Sequence, residues 1–435
     1  MHTSTSDTSR IRQVTAAVLG NALEWYDFAI YGFMAAIIAR QFFPAENEAA
    51  SLMMALATIG VAFFMRPVGG VLLGIYSDRR GRKAAMQLII VLMTVSIMMI
   101  AFAPNYAAIG IGAPLLIVVA RMLQGFATGG EYASATAFLV ESAPFEKQGL
   151  YGSWQLSGQC LALFSGAGVV ALVTYALSPE ELDSWGWRVP FILGLLIAPV
   201  GMWMRKNMHE PEAFVVARKS RGQEGLGTLL SSYRRNLLVT MGICCSGTAA
   251  TYVVMVHMPT FAHRQLGLAL DEVLLVQMFA LGWMAVLVPF AGALSDRLGR
   301  RSLLMLSTLF LVVVIYPLYV WVTTAPSLER LMIMQFVLCS AIAVSYGPSP
   351  TAMAEQFPVA IRSTGVAVSY NGAVMIFGGF APLTVTWLIE RLGTPVAPAF
   401  YVLFACVIGL AGIYYMHDEP IARRRQAASA PPVEI

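Results

Sequence analysis

Charge is scarce in this sequence. Asp, Glu, Lys and Arg make up 12% of its 435 residues, about half the share that a water-exposed surface carries. That shortage excludes an ordinary soluble enzyme, and a hydrophobic content of 58% excludes a disordered chain. A net charge of +4 is too small to be the footprint of a nucleic-acid binder. The cysteines Cys160, Cys244, Cys245, Cys339 and Cys406 are odd in number, lie inside apolar stretches and lack metal-ligand spacing. They read as buried free thiols. There is no Gly-x-x-x-x-Gly-Lys-Ser/Thr loop to cradle a phosphate, so ATP is not the expected energy source. No metal, cofactor or nucleophile–base set can be assembled from the motifs. No removable signal peptide is expected either, because the run after Arg12 carries two carboxylates and no small-residue cleavage site.

What the sequence does have is long apolar runs. Crossing a hydrocarbon core of roughly 30 Å takes about 20 mostly apolar residues in a helix. Twelve such runs are predicted, at about 15–39, 52–76, 84–103, 113–137, 153–177, 188–205, 237–257, 271–294, 302–323, 329–351, 364–389 and 396–416. They are too long for barrel strands. The polar stretch 206–236 falls at mid-chain and reads as a linker. The expected organisation is an N-terminal six-helix half over 1–205, the linker, a second six-helix half over 237–417 and a tail over 418–435.

Lysine and arginine set the orientation. With both termini inside, the cytoplasmic side collects 21 of the 28 basic residues, and only Arg40, Arg188, Arg264, Arg330 and Arg391 fall opposite. The chain is expected to cross a plasma membrane many times, with both ends cytoplasmic.

The halves echo each other. The loop after span 2 contains Gly74, Asp78, Arg79, Arg80, Gly81, Arg82 and Lys83, and the loop after span 8 contains Gly292, Asp296, Arg297, Gly299, Arg300 and Arg301 at the same spacing. Glu141-Ser-Ala-Pro144 after span 4 is answered by Glu355-Gln-Phe-Pro358 after span 10. Parallel repeats of this kind belong to transporters whose site lies near the bilayer midplane. The arginines suit anionic headgroups and helix C-termini, and each Asp is expected to hold an Arg or a helix N-terminus. Asp78, Arg79, Arg82, Asp296, Arg297 and Arg300 are therefore gating candidates; plain positive-inside topology is the alternative.

The doubled Gly-x-x-x-Asp-Arg-x-Gly-Arg-Lys/Arg motif resembles the major facilitator superfamily. More narrowly, the chain is similar to its metabolite:proton symporters, which carry proline and betaine, α-ketoglutarate, citrate or shikimate. Gly20-Asn21-x-x-Glu24-Trp25-Tyr26-Asp27-Phe28, Arg66-Pro67-x-Gly69 and Arg121-x-x-Gln124-Gly125-Phe126-x-x-Gly129-Gly130-Glu131 carry the resemblance. So do Trp185-Gly186-Trp187-Arg188-Val189-Pro190-Phe191, Glu210-x-x-x-Phe214 and Tyr370-Asn371 before Gly378-Gly379. After Glu131 this chain has Tyr132-Ala133-Ser134 where the family often shows further glycines. The resemblance implies an all-α membrane protein of twelve helices with the major facilitator fold.

Ionisable residues inside a span are functional hypotheses by default. Here they are Glu24, Asp27, Arg66, Arg121 and Glu131, with His257 alone in the second half. Asp27 lies about 18 Å from the start of its span and Arg121 about 12 Å from the start of its own, entered from the other side. Those depths nearly coincide, so an Asp27–Arg121 pair is expected. A buried carboxylate keeps its charge only while a cation supports it. If Arg121 turns to an anionic substrate, Asp27 or its neighbour Glu24 takes a proton, and the two travel together. The Arg121-x-x-x-Gly125 pattern also matches a fourth-helix motif that the superfamily links to proton coupling. The alternative is a static pair that fixes helix register.

Arg121, Gln124, Thr128 and Tyr132 form one polar stripe; Gln155 and Gln159 form another, and Tyr370 with Asn371 a third. These residues and Arg66 are candidate substrate contacts, although satisfying the backbone break at Pro67 is an equal role for Arg66. Thr248, Thr251 and Tyr252 are weaker candidates. Glu131 is expected to pair with a loop arginine near the cytoplasmic gate. His257 reads as interfacial, with a proton relay as the minority reading. Gly70-x-x-x-Gly74 and Gly125-x-x-x-Gly129 fit close helix packing and do not demand a dimer, so a monomer is the expected working unit. The expected function is secondary active symport of a small carboxylate such as citrate, another di- or tricarboxylate, or α-ketoglutarate with protons. Uptake of a zwitterion such as proline or betaine with protons or sodium is the alternative. A channel or a non-transporting sensor is disfavoured by the gating repeat and by the short linker and tail.

Overall fold

The computed structural model describes residues 7–45, 48–206, 210–211, 214–216 and 226–418. Of the expected linker, 207–209, 212–213 and 217–225 lie outside the described residues, as does nearly all of the expected tail; the described part of the linker includes a short helix, Leu226–Ser232. Numbering the longer helices in chain order gives α1 (Asp7–Phe33), α2 (Ala35–Phe42), α3 (Glu48–Arg80), α4 (Arg82–Ala101), α5 (Gly112–Ser142), α6 (Gln148–Ala176) and α7 (Arg188–Lys206). After the linker come α8 (Arg234–Thr251), α9 (Met258–Leu266), α10 (Leu270–Leu298), α11 (Arg300–Thr324) and α12 (Leu328–Tyr346). The last are α13 (Ser349–Glu355), α14 (Arg362–Val374), α15 (Ala381–Leu392) and α16 (Ala397–Tyr415). Among the described residues, 10 helical stretches are long and apolar enough to cross a membrane, and a bent helix pair makes 11. The sixth predicted span coincides with α7.

Three departures from simple spans stand out, and the first two have physical causes. The first span is bent by 69° between α1 and α2. At that point the Tyr31 hydroxyl is tied to Thr58 Oγ1 of α3 at 2.6 Å, and α2 packs along α3. The seventh span contains a π-helical segment, Tyr252–His257, before α9. In the π register the Val254 carbonyl falls opposite Pro259, which has no N–H, and Gln335 Nε2 supplies the missing donor at 3.2 Å. A second π segment, Met375–Gly379, joins α14 to α15.

The two motif stretches expected as loops are helix ends. α3 runs through Arg80 and α10 through Leu298, and single glycines, Gly81 and Gly299, join them to the next helices. Basic residues stabilise the last turn of a helix, whereas hydropathy registers only the part that matches hydrocarbon. Gly81 has φ +116° and Gly299 φ +94°, a region open essentially to glycine alone. Glu210 accepts hydrogen bonds from the Arg82 and Lys83 amides at 2.9 and 3.0 Å and so caps α4. In the second copy, Asp418 accepts from the Arg301 amide at 3.2 Å. A Cβ at position 81 would lie 2.3 Å from Glu210 Oε1. Gly81→Ala is therefore expected to cost about 1–3 kcal/mol and to displace the cap. A thermal-shift measurement checks this, and an unchanged midpoint would contradict the strain.

The chain forms two compact units, 1–138 with 158–211 and 139–157 with 212–435. In the first, α1 and α4 pack on α7 and α3 on α4; Trp187 is fully buried between Phe42 and Phe191, with ring centroids 5.5 and 6.1 Å away. In the second, α8 packs on α14 and α16, and α12 on α10 and α11. Large apolar side chains face outward as well as inward, Phe64, Leu72, Val313 and Leu383 among them. That is the distribution expected where lipid is the outer solvent.

Candidate functional site

Two helices in the first unit approach until their backbones touch. A Cβ on Gly125 would sit 2.1 Å from the Ala62 carbonyl oxygen, one on Gly129 2.1 Å from that of Arg66, and one on Gly69 1.8 Å from that of Phe126. This is the small-residue packing expected of Gly125-x-x-x-Gly129. It sets Arg66 of α3 beside the face of α5 that carries Arg121, Gln124 and Thr128.

α1 completes the site. Glu24, Asp27, Phe28 and Tyr31 recur at three- and four-residue spacing, so they share a face. A pocket is lined by Glu24, Phe28, Phe63, Arg66, Arg121, Gln124 and Thr128, among others. Arg66 Nη2 lies 3.4 Å from Glu24 Oε1, and the Arg66 guanidinium sits 4.7 Å from the Phe63 ring centroid and 5.9 Å from that of Trp25. Arg121 Nη1 lies 3.9 Å from Asp27 Oδ2, with both side chains 1% exposed or less. The guanidinium stacks on Tyr31, 3.8 Å from its centroid, and Nη1 donates to Gln124 Oε1. Thr58 donates to the Ala55 carbonyl at 2.7 Å, which leaves its oxygen to accept from Tyr31 and fixes that ring under Arg121.

The pair is close but incompletely bonded. Among the described residues, Asp27 Oδ1 and Oδ2 and Arg121 Nε and Nη2 make no hydrogen bond. Nε and Nη2 together form the guanidinium edge that matches a carboxylate in bidentate fashion. A buried cation with that edge unengaged is suited to receive an anionic group.

The Asp27–Arg121 pair predicted from depth is present. The Arg66–Glu24 pair and the aromatic faces of Trp25, Phe63 and Tyr31 were missed; the i, i+3, i+4 spacing along α1 carried that signal, but nothing in α1 alone shows what α3 brings to it. Gln159 Nε2 donates to Asn21 Oδ1 at 3.3 Å, which joins α6 to the polar face of α1. Gln155 is fully buried in the second unit. Tyr370 is half-buried there, and the Asn371 amide donates to the Ala367 carbonyl of its own helix at 2.8 Å. Glu131 is buried in the first unit, 11 residues before the end of α5.

The motif acids hold the partners their spacing implies. Asp78 pairs with Arg82 four residues on. Asp296 pairs with Arg300 at 2.8 Å and accepts from the Gly149 and Leu150 amides at 2.9 and 3.0 Å, at the N-terminus of α6 where a carboxylate is favoured. Arg300 also reaches Glu355 at 3.4 Å, and Arg362 reaches Glu141 at 3.1 Å. Arg79 and Arg297 are exposed.

Comparison with known proteins agrees with this architecture. Residues 13–224 match the family model described as Sugar (and other) transporter, and residues 278–434 match Major Facilitator Superfamily. The chain is 34% identical over 414 residues to a citrate-proton symporter of Klebsiella pneumoniae, covering 95% of this chain and 93% of the relative. It is 32% identical over 417 residues to a proline/betaine transporter of Escherichia coli (strain K12), covering 93% and 83%. In fold it is similar to the proton:xylose symporter XylE bound to 6-bromo-6-deoxy-D-glucose, with a TM-score of 0.79 over 97% of this chain and 99% of that one at 17% identity. The chain belongs to the major facilitator superfamily of membrane transporters.

Proposed function

We propose that this chain imports a small carboxylate together with protons by alternating access, and that Arg121 receives the substrate carboxylate. The observation that carries the reading is the unengaged Nε–Nη2 edge of Arg121, buried 3.9 Å from Asp27. A carboxylate docking on that edge competes with Asp27 for the guanidinium. Asp27, losing its counter-charge inside the bundle, takes up a proton, and carboxylate and proton move as one load. Arg66 adds a second cation for a di- or tricarboxylate such as citrate, and Glu24 stands to Arg66 as Asp27 stands to Arg121. In this reading the Asp78–Arg82 and Asp296–Arg300 clusters are gates on the cytoplasmic side of a bacterial inner membrane, with both termini on that side, and the monomer suffices.

One observation favours a second reading. The Trp25 and Phe63 rings and Glu24 surround the Arg66 guanidinium, and aromatic faces beside a carboxylate would also take a quaternary ammonium. Sodium could replace the proton at Asp27 and Asn21. The deciding measurement is uptake into sodium-free proteoliposomes under an inward proton gradient, using labelled citrate, α-ketoglutarate, proline and betaine. Accumulation of one acid, collapsed by a protonophore and lost in Arg121→Ala with the protein still folded, is expected. Accumulation of betaine or proline instead would replace the carboxylate, and dependence on sodium would replace the proton. Absence of any saturable accumulation under all conditions would overturn transport of these compounds.

A further inference from the structure

The second unit holds a buried imidazole that the mechanism above does not use. His257 ends the π segment Tyr252–His257 and is 4% exposed. Its Nε2 lies 3.3 Å from Thr386 Oγ1 of α15. The Thr386 hydroxyl donates its one hydrogen to the Pro382 carbonyl at 2.8 Å, so its oxygen must accept from the ring. That assigns the neutral ring a hydrogen on Nε2 and a bare lone pair on Nδ1. Among the described residues, Nδ1 makes no hydrogen bond. A basic nitrogen buried with no donor is costly in a neutral, closed environment. The bare Nδ1 lone pair is the one position on this ring where a proton can add.

The groups facing this ring are few. Arg264 is a cation seven residues further along the same span, and Phe261 packs beside the ring. α15 presents Thr386, with Glu390 and Arg391 four and five residues beyond. α12 presents Gln335, which bonds both the Val254 carbonyl and Gln277 Oε1, at 3.2 and 2.6 Å; its charged residues, Glu329 and Arg330, lie at its first turn. His257 itself makes no ion pair among the described residues. The segment that carries it is π-helical and followed by Pro259, one residue out of register with an α-helix. Such segments are frequent at functional sites.

We propose that His257 is a second proton-binding residue of the transport cycle, acting through Nδ1. The Nδ1 lone pair forms an N–H bond with a proton delivered by hydronium from the aqueous phase, leaving water and an imidazolium. The same bond breaks when the proton passes to water on the other side, restoring the neutral ring. No other bond changes. The new Nδ1–H is a donor where an acceptor stood, so occupancy changes what the π segment can bond to. The proposal rests on proton-coupled uptake as read above.

The test uses full-length protein in proteoliposomes with whichever of the four labelled compounds the wild type accumulates. His257→Gln keeps an amide donor for Thr386 and cannot take a proton. The expected result is a proton-to-substrate ratio lower by one, read from the reversal potential, and at least a threefold fall in the ratio of uptake at pH 5.5 to uptake at pH 7.5. An unchanged ratio and pH profile in His257→Gln would make the ring a structural donor to Thr386 and overturn the proposal alone. Wild-type uptake that ignores the proton gradient would overturn both this proposal and the coupling on which it rests. Should the variant fail to fold, ¹⁵N-histidine spectra of the wild type in nanodiscs decide. Conversion of the Nε2–H ring to imidazolium between pH 8 and pH 5 supports proton binding, and a ring that stays neutral throughout overturns it.

Discussion

Asp27→Asn is expected to end gradient-driven accumulation, lowering it at least a hundredfold, while substrate exchange between equally loaded sides stays within about threefold of wild type. The amide fills the space of the carboxylate, so packing in a position with no solvent exposure is kept. What disappears is the carboxylate 3.9 Å from Arg121, and with it the group proposed to hold the proton. Removing one partner of a buried ion pair commonly costs about 3–5 kcal/mol. Here the loss is expected to be smaller, because the carboxylate makes no hydrogen bond to the guanidinium and because Gln124 Oε1 and the Tyr31 ring still support Arg121. Exchange needs only a site that binds and reorients, and a permanently neutral amide imitates the protonated carboxyl. Counterflow without net uptake is thus the signature of a lost proton site. Full accumulation by Asp27→Asn would remove Asp27 from the coupling and turn attention to Glu24, whose partner Arg66 lies 3.4 Å away. Loss of exchange together with uptake would instead mean that the pair organises the site without carrying the proton.

The residues that sequence reasoning reached are those whose position follows from one-dimensional rules. Hydropathy and helical rise place Asp27 and Arg121 at similar depth, so their pairing needs only the right neighbouring helices. The repeat of Asp78 to Arg82 as Asp296 to Arg300 gives an i, i+4 ion pair in each copy with no tertiary information. The residues it did not reach depend on packing. Arg66 of α3 meets Glu24 of α1 and lies beside Arg121 because Gly125 and Gly129 let α5 rest against the α3 backbone, and composition cannot state those distances. Tyr31 lies beneath Arg121 because its hydroxyl is anchored to Thr58 on another helix. Helix ends were read short at Arg79 and Arg80 because hydropathy is blind to a polar turn that continues the hydrogen-bond ladder beyond the hydrocarbon. Glu210 could be quoted as part of a motif but not as the cap of α4, since its partners, the Arg82 and Lys83 amides, are more than a hundred residues away in sequence. The bend after Phe33 and the π segment that ends at His257 have the same origin. Each is imposed by a neighbour that supplies or withholds a hydrogen bond.

If backbone contact between α3 and α5 positions both arginines, then adding a single methyl group to that contact should be felt at the site as well as in stability. Gly129→Ala places a Cβ 2.1 Å from the Arg66 carbonyl oxygen and 2.6 Å from the Gly70 nitrogen. These are backbone atoms, which cannot turn aside as a flexible side chain can. Overpacking of this kind typically costs about 1–3 kcal/mol, and the upper end is expected here because the helices themselves must separate. Gly60 of α3 is the matched control, since a Cβ there meets nothing within 4 Å. Gly60→Ala should be neutral or gain about 0.5–1 kcal/mol from the reduced cost of ordering a helix residue. Detergent-solubilised protein followed by fluorescence-detected gel filtration after heating separates the two: the midpoint should fall by several degrees for Gly129→Ala and hold or rise for Gly60→Ala. Moving α5 away from α3 also moves Arg121 relative to Arg66, so the surviving Gly129→Ala protein should bind substrate at least tenfold more weakly, with Arg66, Glu24, Asp27 and Arg121 all intact. A Gly129→Ala protein as stable and as active as wild type would show that α3 and α5 are not held at this distance, and the shared pocket of Arg66 and Arg121 would fall with that contact.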